Sequence, residues 1–201
     1  LVVVRGVLML RNDNLYELPQ NLPVPVDDGA TNHLVGLQVP AIALMSTAGN
    51  IVDLGSISGR TVVYCYPLTG KPDADLPKGW NDTVGARGCT PQACAFRDYY
   101  RELQALGSGC FGLSAQTTKY QQEAVRRLHL PFELLSDSQL MFAKALRLPT
   151  FEVELMTLIK RLTLIVENGR IEKVFYPVFP PDRNAEQVID WLAQNPQRDD
   201  K

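Results

Sequence analysis

Between residues 61 and 113 the hydrophobic period of the chain changes twice. Thr61–Tyr66 (TVVYCY) is a β-rich run closed by Pro67. From Thr90-Pro91 onward, Phe96, Tyr99 or Tyr100, Leu103 and Leu106 recur at helical spacing until Gly107, and Cys110–Leu113 then reads as a strand. Thr90 can cap that helix, and Pro91 suits its first position, where the missing N–H would be unpaired anyway. Strand, helix and strand in this order form a βαβ unit. Its crossover is right-handed in nearly all folds and leaves the two strands parallel.

The remaining segments supply further strands and helices. Thr117–Leu128 is a second helix with Tyr120, Ala124 and Leu128 on one stripe, followed by a short strand near Glu133–Leu135 and a third helix at Ser138–Leu146. Arg161–Val166 alternates, with Leu162, Leu164 and Val166 on one face and Arg161, Thr163 and Ile165 on the other. Asn168-Gly169 is a strong hairpin signal, and Ile171–Tyr176 is its returning strand. Asn184 is placed to cap a last helix, with Gln187 set for the reciprocal bond and Ala185, Val188, Ile189 and Leu192 as its buried stripe. Upstream, short strands near Val39–Leu44 and Asn50–Leu54 flank a turn at Gly49. The order predicts an α/β chain with a mixed central sheet and helices on both faces, a thioredoxin-like fold with an N-terminal extension. The domain is read as residues 35–195, after an irregular arm (1–34) and before a short tail (196–201). A long Gly-, Pro- and Asp-rich insert occupies 68–88.

Composition narrows the classes of function. The 201 residues suit one domain, and 22 acidic against 20 basic side chains give no broad positive field, so nucleic acid is a poor partner. Leu1–Leu10 is apolar but about half as long as the roughly 20 residues of a membrane span, and Arg5 interrupts it. It also lacks the basic start of a secretory signal. The chain opens without Met, so residues 1–8 are read as an upstream extension with the natural start near Met9. Without a membrane span, the expected location is the cytoplasm.

Cys65 and Cys110 lie in apolar, strand-like runs and read as core thiols. Cys89 and Cys94 are placed differently. Cys89 stands where a helix begins, beside unpaired N–H groups and the positive end of the dipole, which favours a thiolate and a lowered pKa. Arg87 could add a positive charge. Five residues apart in an intact helix, two Cα atoms are roughly 8–9 Å apart, whereas a disulfide needs ~4.4–6.8 Å. Any Cys89–Cys94 bond would therefore unwind the first turn and act as a switch. The spacing does not match a C-x-x-C motif, and His33 and His129 show no metal-ligand spacing.

The run Gly88-Cys89-Thr90-Pro91-Gln92-Ala93-Cys94-Ala95-Phe96-Arg97-Asp98 resembles the GCT-x-x-AC-x-FRD signature of the peroxiredoxins of the Q, or bacterioferritin-comigratory, type. The likeness continues through Phe111-Gly112-Leu113-Ser114, Leu130-Pro131-Phe132 and Leu134-Leu135-Ser136-Asp137 to Lys160-Arg161-Leu162-Thr163-Leu164-Ile165. It covers roughly residues 35–192 in order. The resemblance implies a thiol-dependent peroxidase that reduces hydrogen peroxide or organic hydroperoxides. Cys89 would be the peroxidatic cysteine, Cys94 the resolving cysteine, and Arg161 the guanidinium supporting thiolate and peroxide. A thioredoxin-like dithiol would be the reductant and the chain a monomer or homodimer, with no metal and no organic cofactor.

The chain departs from the family in one place. The family's loop reads Pro-x-x-x-Thr-x-x-Cys, whereas Asp82 and Ala86 stand seven and three residues before Cys89. Pro67 and Thr69 look like the start of that loop, about twenty residues early, and Thr83 is another candidate stand-in for the threonine. Two competing readings follow: a redox-sensing or binding domain that keeps a Cys89–Cys94 switch but little peroxidase activity, and a general disulfide reductase.

Overall fold

The computed structural model describes residues 14–197. The expected start near Met9 and most of the tail lie outside them. Nine strands are described: β1 (Ala43–Ser46), β2 (Ile51–Asp53), β3 (Arg60–Cys65), β4 (Ser108–Ser114), β5 (Leu134–Ser136), β6 (Thr150–Val153), β7 (Met156–Ile159), β8 (Leu162–Glu167) and β9 (Arg170–Phe175). The helices are α1 (Cys89–Asp98), α2 (Tyr100–Ala105), α3 (Thr118–Leu128), α4 (Met141–Leu146) and α5 (Asn184–Gln194).

Seven strands form one mixed sheet in the order β2-β1-β5-β4-β3-β8-β9. β3 pairs parallel with β4, and β4 with β5, as the two crossovers through α1–α2 and α3 require. β8 is antiparallel to both β3 and β9. The turn between β8 and β9 uses positive φ at Asn168 (49°) and Gly169 (75°), the geometry that Asn-Gly favours in a two-residue hairpin. A side chain at position 169 would also meet Gly55 O at 2.2 Å.

Side chains alternate along β3 and divide the core. Val62, Tyr64 and Tyr66 pack with Phe96, Leu103, Ala124, Leu128, Val188 and Leu192 on the face covered by α1, α2, α3 and α5. Val63 and Cys65 pack with Leu113, Leu135, Phe142, Leu146, Leu162 and Leu164 on the opposite face, under α4. Cys110 belongs to the first cluster and Cys65 to the second, so the two core thiols lie on opposite sides of the sheet.

Several boundaries differ from the sequence reading. α1 begins at Cys89, not at Pro91. Its cap is Gly88 in a left-handed conformation (φ 106°) and not Thr90, which is buried in the first turn. A break at Tyr99 divides the single helix expected over 90–106. Gln121 takes the buried place expected for Tyr120, because its amide donates to Ser114 Oγ at 3.0 Å and Leu135 O at 2.8 Å. α4 starts three residues late: Ser138–Leu140 form a turn ending at Leu140 (φ 56°), and the Asp137 carboxylate accepts from Phe142 and Ala143 N–H. Burial pushes the Asp137 carboxyl up from its ordinary range despite these bonds.

No element is expected over 147–160 from the sequence, and the fold places the β6–β7 hairpin there. Its turn, Glu154-Leu155, carries no glycine or asparagine and puts Glu154 at φ 52°, so no turn chemistry announces it. This hairpin anchors the 68–88 insert. Trp80 and Ala86 are buried against Val153 and Leu158, with Trp80 and Phe151 ring centroids 6.3 Å apart. At the other end Thr69 N donates to Gln116 Oε1 at 3.0 Å while Gln116 Nε2 donates back to Thr69 O at 3.3 Å. The insert is a loop with its own small core.

Candidate active site

Cys89 opens α1 at the carboxyl end of β3, 4% exposed, and Arg161 (3% exposed) directly precedes β8. The Cys65↔Leu162 pairing of β3 and β8 aligns these two points. Arg161 Nη2 lies 3.2 Å from Cys89 Sγ and within 3.0, 3.1 and 3.4 Å of the carbonyls of Ala86, Arg87 and Gly85. One guanidinium thus curls the segment before the helix around itself and faces the sulfur. The Cys89 thiol reaches Ala86 O at 3.7 Å.

A chain of buried amides and a hydroxyl holds Arg161. Its Nη1 donates to Gln92 Oε1, Gln92 Nε2 donates to Asn184 Oδ1 at 2.9 Å, and Thr163 Oγ1 donates to the same oxygen at 2.7 Å. Gln92 and Asn184 were not among the site residues read from the sequence. The sequence predicts Asn184 as a cap, but Arg183 occupies that position and the Asn184 side chain accepts from Gln92 and Thr163. The signal for Gln92 was its place one turn after Cys89. Period 2 from Arg161 put Thr163 on the same face.

Cys94 sits on α1, half-buried, and burial raises its thiol pKa against the opposing charges of Arg97 and Arg127. All four cysteines are free thiols. Thr69 is buried and hydrogen-bonds the Tyr66 phenol, a residue packed in the same cluster as Cys89. Thr83 spends its hydroxyl locally on Gly79 O at 3.0 Å. Arg87 is buried, and its guanidinium donates to Asn14 O of the arm at 2.7 Å. Arg161 brings its charge to the thiol.

Beside Arg161 opens a cavity of about 250 Å³. Its walls come from the arm (Val26), the insert (Val84, Gly85), β6 (Phe151) and the segment after β9 (Val178). Arg161 lines this cavity and also contacts the Cys89 sulfur.

Residues 34–189 match the redoxin family. The chain belongs to that family. Within it, it is a peroxiredoxin of the Q or bcp type, a thiol-dependent peroxidase with a thioredoxin-like fold. It is 29% identical over 160 residues to peroxiredoxin Q, chloroplastic, of Sedum lineare, covering 78% of this chain and 76% of the relative. It is 30% identical over 160 residues to the peroxiredoxin Q of Oryza sativa subsp. japonica, covering 78% of this chain and 65% of the rice protein. Peroxidoxin BcpB from Mycobacterium tuberculosis has the same fold, with a TM-score of 0.65 at 22% identity over 82% of this chain and all of that one. The peroxiredoxin departs from the family's loop where Ala86 stands in the threonine position. There its carbonyl faces both the thiol and Arg161.

Proposed function

We propose that this peroxidase turns over through an intramolecular disulfide between Cys89 and Cys94. The Arg161–Cys89 contact carries the reading: a guanidinium 3.2 Å from a thiol at a helix start supports a thiolate and, next to it, the charge that develops as a peroxide O–O bond breaks. The Cys89 thiolate takes the near peroxide oxygen and becomes sulfenic acid, and the far oxygen leaves with a proton as an alcohol or water. The Cys94 thiolate then attacks the sulfenic sulfur. The S–S bond forms, the S–O bond breaks, and hydroxide leaves with a proton as water. A thioredoxin-type dithiol returns both thiols by exchange. The apolar cavity beside Arg161 supports organic hydroperoxides as substrates along with hydrogen peroxide. The four free thiols fit the reducing cytoplasm, and we read the working form as a monomer or homodimer.

Stopped-flow oxidation of wild type, Cys89→Ser and Cys94→Ser tests the route. Fast oxidation is expected to vanish without Cys89. Cys94→Ser is expected to stop at a sulfenic acid that dimedone traps. Mass mapping of the oxidised wild type is expected to give a Cys89–Cys94 link. Equal, slow oxidation of all three proteins would overturn the route.

A further inference from the structure

Arg87 lies two residues before Cys89, is 4% exposed, and has no place in the steps above. Its Nη2 donates to Asn14 O at 2.7 Å and reaches Glu17 O at 3.5 Å. These carbonyls belong to a turn of the N-terminal arm. Glu17 N donates to Asn14 O (3.3 Å), Asn14 Nδ2 to Glu17 Oε1 (2.8 Å), and Tyr16 N to Asn14 Oδ1 (3.0 Å).

The turn is seated on both sides. Leu15 is buried against Gly70, where an added Cβ would stand 3.0 Å from Leu15 Cδ2. Leu18 lies on Gly88, where an added Cβ would stand 2.9 Å from Leu18 Cδ2. Tyr16, Glu17 and Leu18 form one wall of a surface groove, and Pro91, Cys94 and Ala95 line the other. The arm therefore lies along α1 from its cap to Cys94.

We propose that this arm clamps the first turns of α1, and that Arg87 is a positioning residue that sets how fast Cys94 reaches the Cys89 sulfenic acid. The inference rests on the Cys89–Cys94 route. In the helix the two Cα atoms are roughly 8–9 Å apart, so residues 89–94 must unwind before an S–S bond of ordinary geometry can form. Unwinding moves Gly88, on which Leu18 rests, together with Pro91 and Ala95, which share a groove with Tyr16 and Leu18, and draws on Arg87 through the backbone. Contacts made by the arm with the helical form are lost in the disulfide form and count against it. While the clamp holds, the sulfenate can take an oxygen from a second peroxide and become sulfinate, as that peroxide leaves as alcohol or water.

The test uses the full chain in stopped-flow oxidation with hydrogen peroxide, followed by intact-mass measurement of sulfinic acid. Arg87→Met and Leu18→Ala are each expected to speed the disulfide-forming phase about tenfold. Both should also raise, by a similar factor, the peroxide concentration needed to overoxidise half the protein. Leu18→Ala should leave the first phase unchanged, and Arg87→Lys should fall between wild type and Arg87→Met. In wild type, amides of residues 14–18 are expected to exchange hydrogen faster in the disulfide form than in the dithiol form. An unchanged second phase and sulfinic yield in both variants, or equal exchange in the two redox forms, would overturn the clamp. Loss of the Cys89-dependent first phase or of the Cys89–Cys94 link in wild type would instead overturn the parent route, and the Cys→Ser proteins identify that outcome.

Discussion

Arg161 and Cys89 meet at 3.2 Å although 72 residues separate them. The meeting is a consequence of strand register. β8 pairs with β3 so that Leu162 opposes Cys65, and the residue before Leu162 arrives at the end of the sheet where α1 starts. Arg161→Met keeps much of the volume and removes the charge. The second-order rate of Cys89 oxidation is expected to fall about 10²- to 10³-fold. Competition kinetics against a reference peroxidase measures it. A fall of less than threefold would remove Arg161 from the chemistry.

Gln92 links that guanidinium to the fold. Its amide joins Arg161 to Asn184 and, through Asn184 Oδ1, to Thr163. Gln92→Ala leaves the Arg161 Nη1 without this acceptor and Asn184 Oδ1 with Thr163 as its remaining donor. Chemical denaturation is expected to show a loss of about 1–3 kcal/mol, with Cys89 oxidation slowed about tenfold because the guanidinium is less well held. Stability lost with the rate untouched would mean that Gln92 serves packing alone.

The two chemical steps should separate with pH. Burial raises the Cys94 thiol pKa, so at neutral pH this cysteine is mainly the unreactive thiol. Raising pH towards the folded pKa increases its thiolate fraction, and the disulfide-forming phase is expected to accelerate by up to about tenfold per pH unit until that pKa is passed. A Cys94 pKa below 7 would instead give a flat second phase above pH 7. Stopped-flow traces between pH 6 and 10 read the slope directly.

Trp80 holds the insert on the β6–β7 hairpin, and the insert supplies Val84 and Gly85 to the cavity beside Arg161. Trp80→Ala removes the largest side chain of that small core, a change that costs about 3–5 kcal/mol in a well-packed site. The cost should appear as local opening. Limited proteolysis is expected to cut within residues 70–85 first, and turnover of a bulky organic hydroperoxide should drop more than that of hydrogen peroxide. Equal losses for both peroxides would disconnect the insert from substrate binding.

Gly112 tests the sheet beneath the site. A Cβ there would lie 2.5 Å from Leu134 Cδ2 and 2.7 Å from the Tyr64 ring, which is itself stacked on Phe96 with centroids 4.5 Å apart. With side chains of β3 and β5 both pressing on the position, and Tyr64 held by its stack on Phe96, Gly112→Ala is expected to destabilise by about 1–3 kcal/mol. A thermal melt unchanged from wild type would show that the stack yields.

Much of the architecture was local information. The change of period around residues 61–113, the alternation after Arg161 and the Asn168-Gly169 turn each reflect how side chains repeat along a strand or helix, so strand and helix order could be read without knowing what they pack against. The cysteine pair and the arginine were also marked by their neighbours in the chain. Tertiary structure decided where side chains point. Arg87 and Arg161 have the same charge, and only the register of β8 on β3 gives the sulfur to one and the arm to the other. Asn184 has the residue type of a helix cap, and only the arrival of Gln92 and Thr163 turns it inward. The insert looked structureless because its partner, the β6–β7 hairpin, lies some seventy residues away and turns on Glu154-Leu155 without turn residues. Local propensity reports what a segment prefers, whereas contacts between distant segments depend on register and burial, which no short window contains.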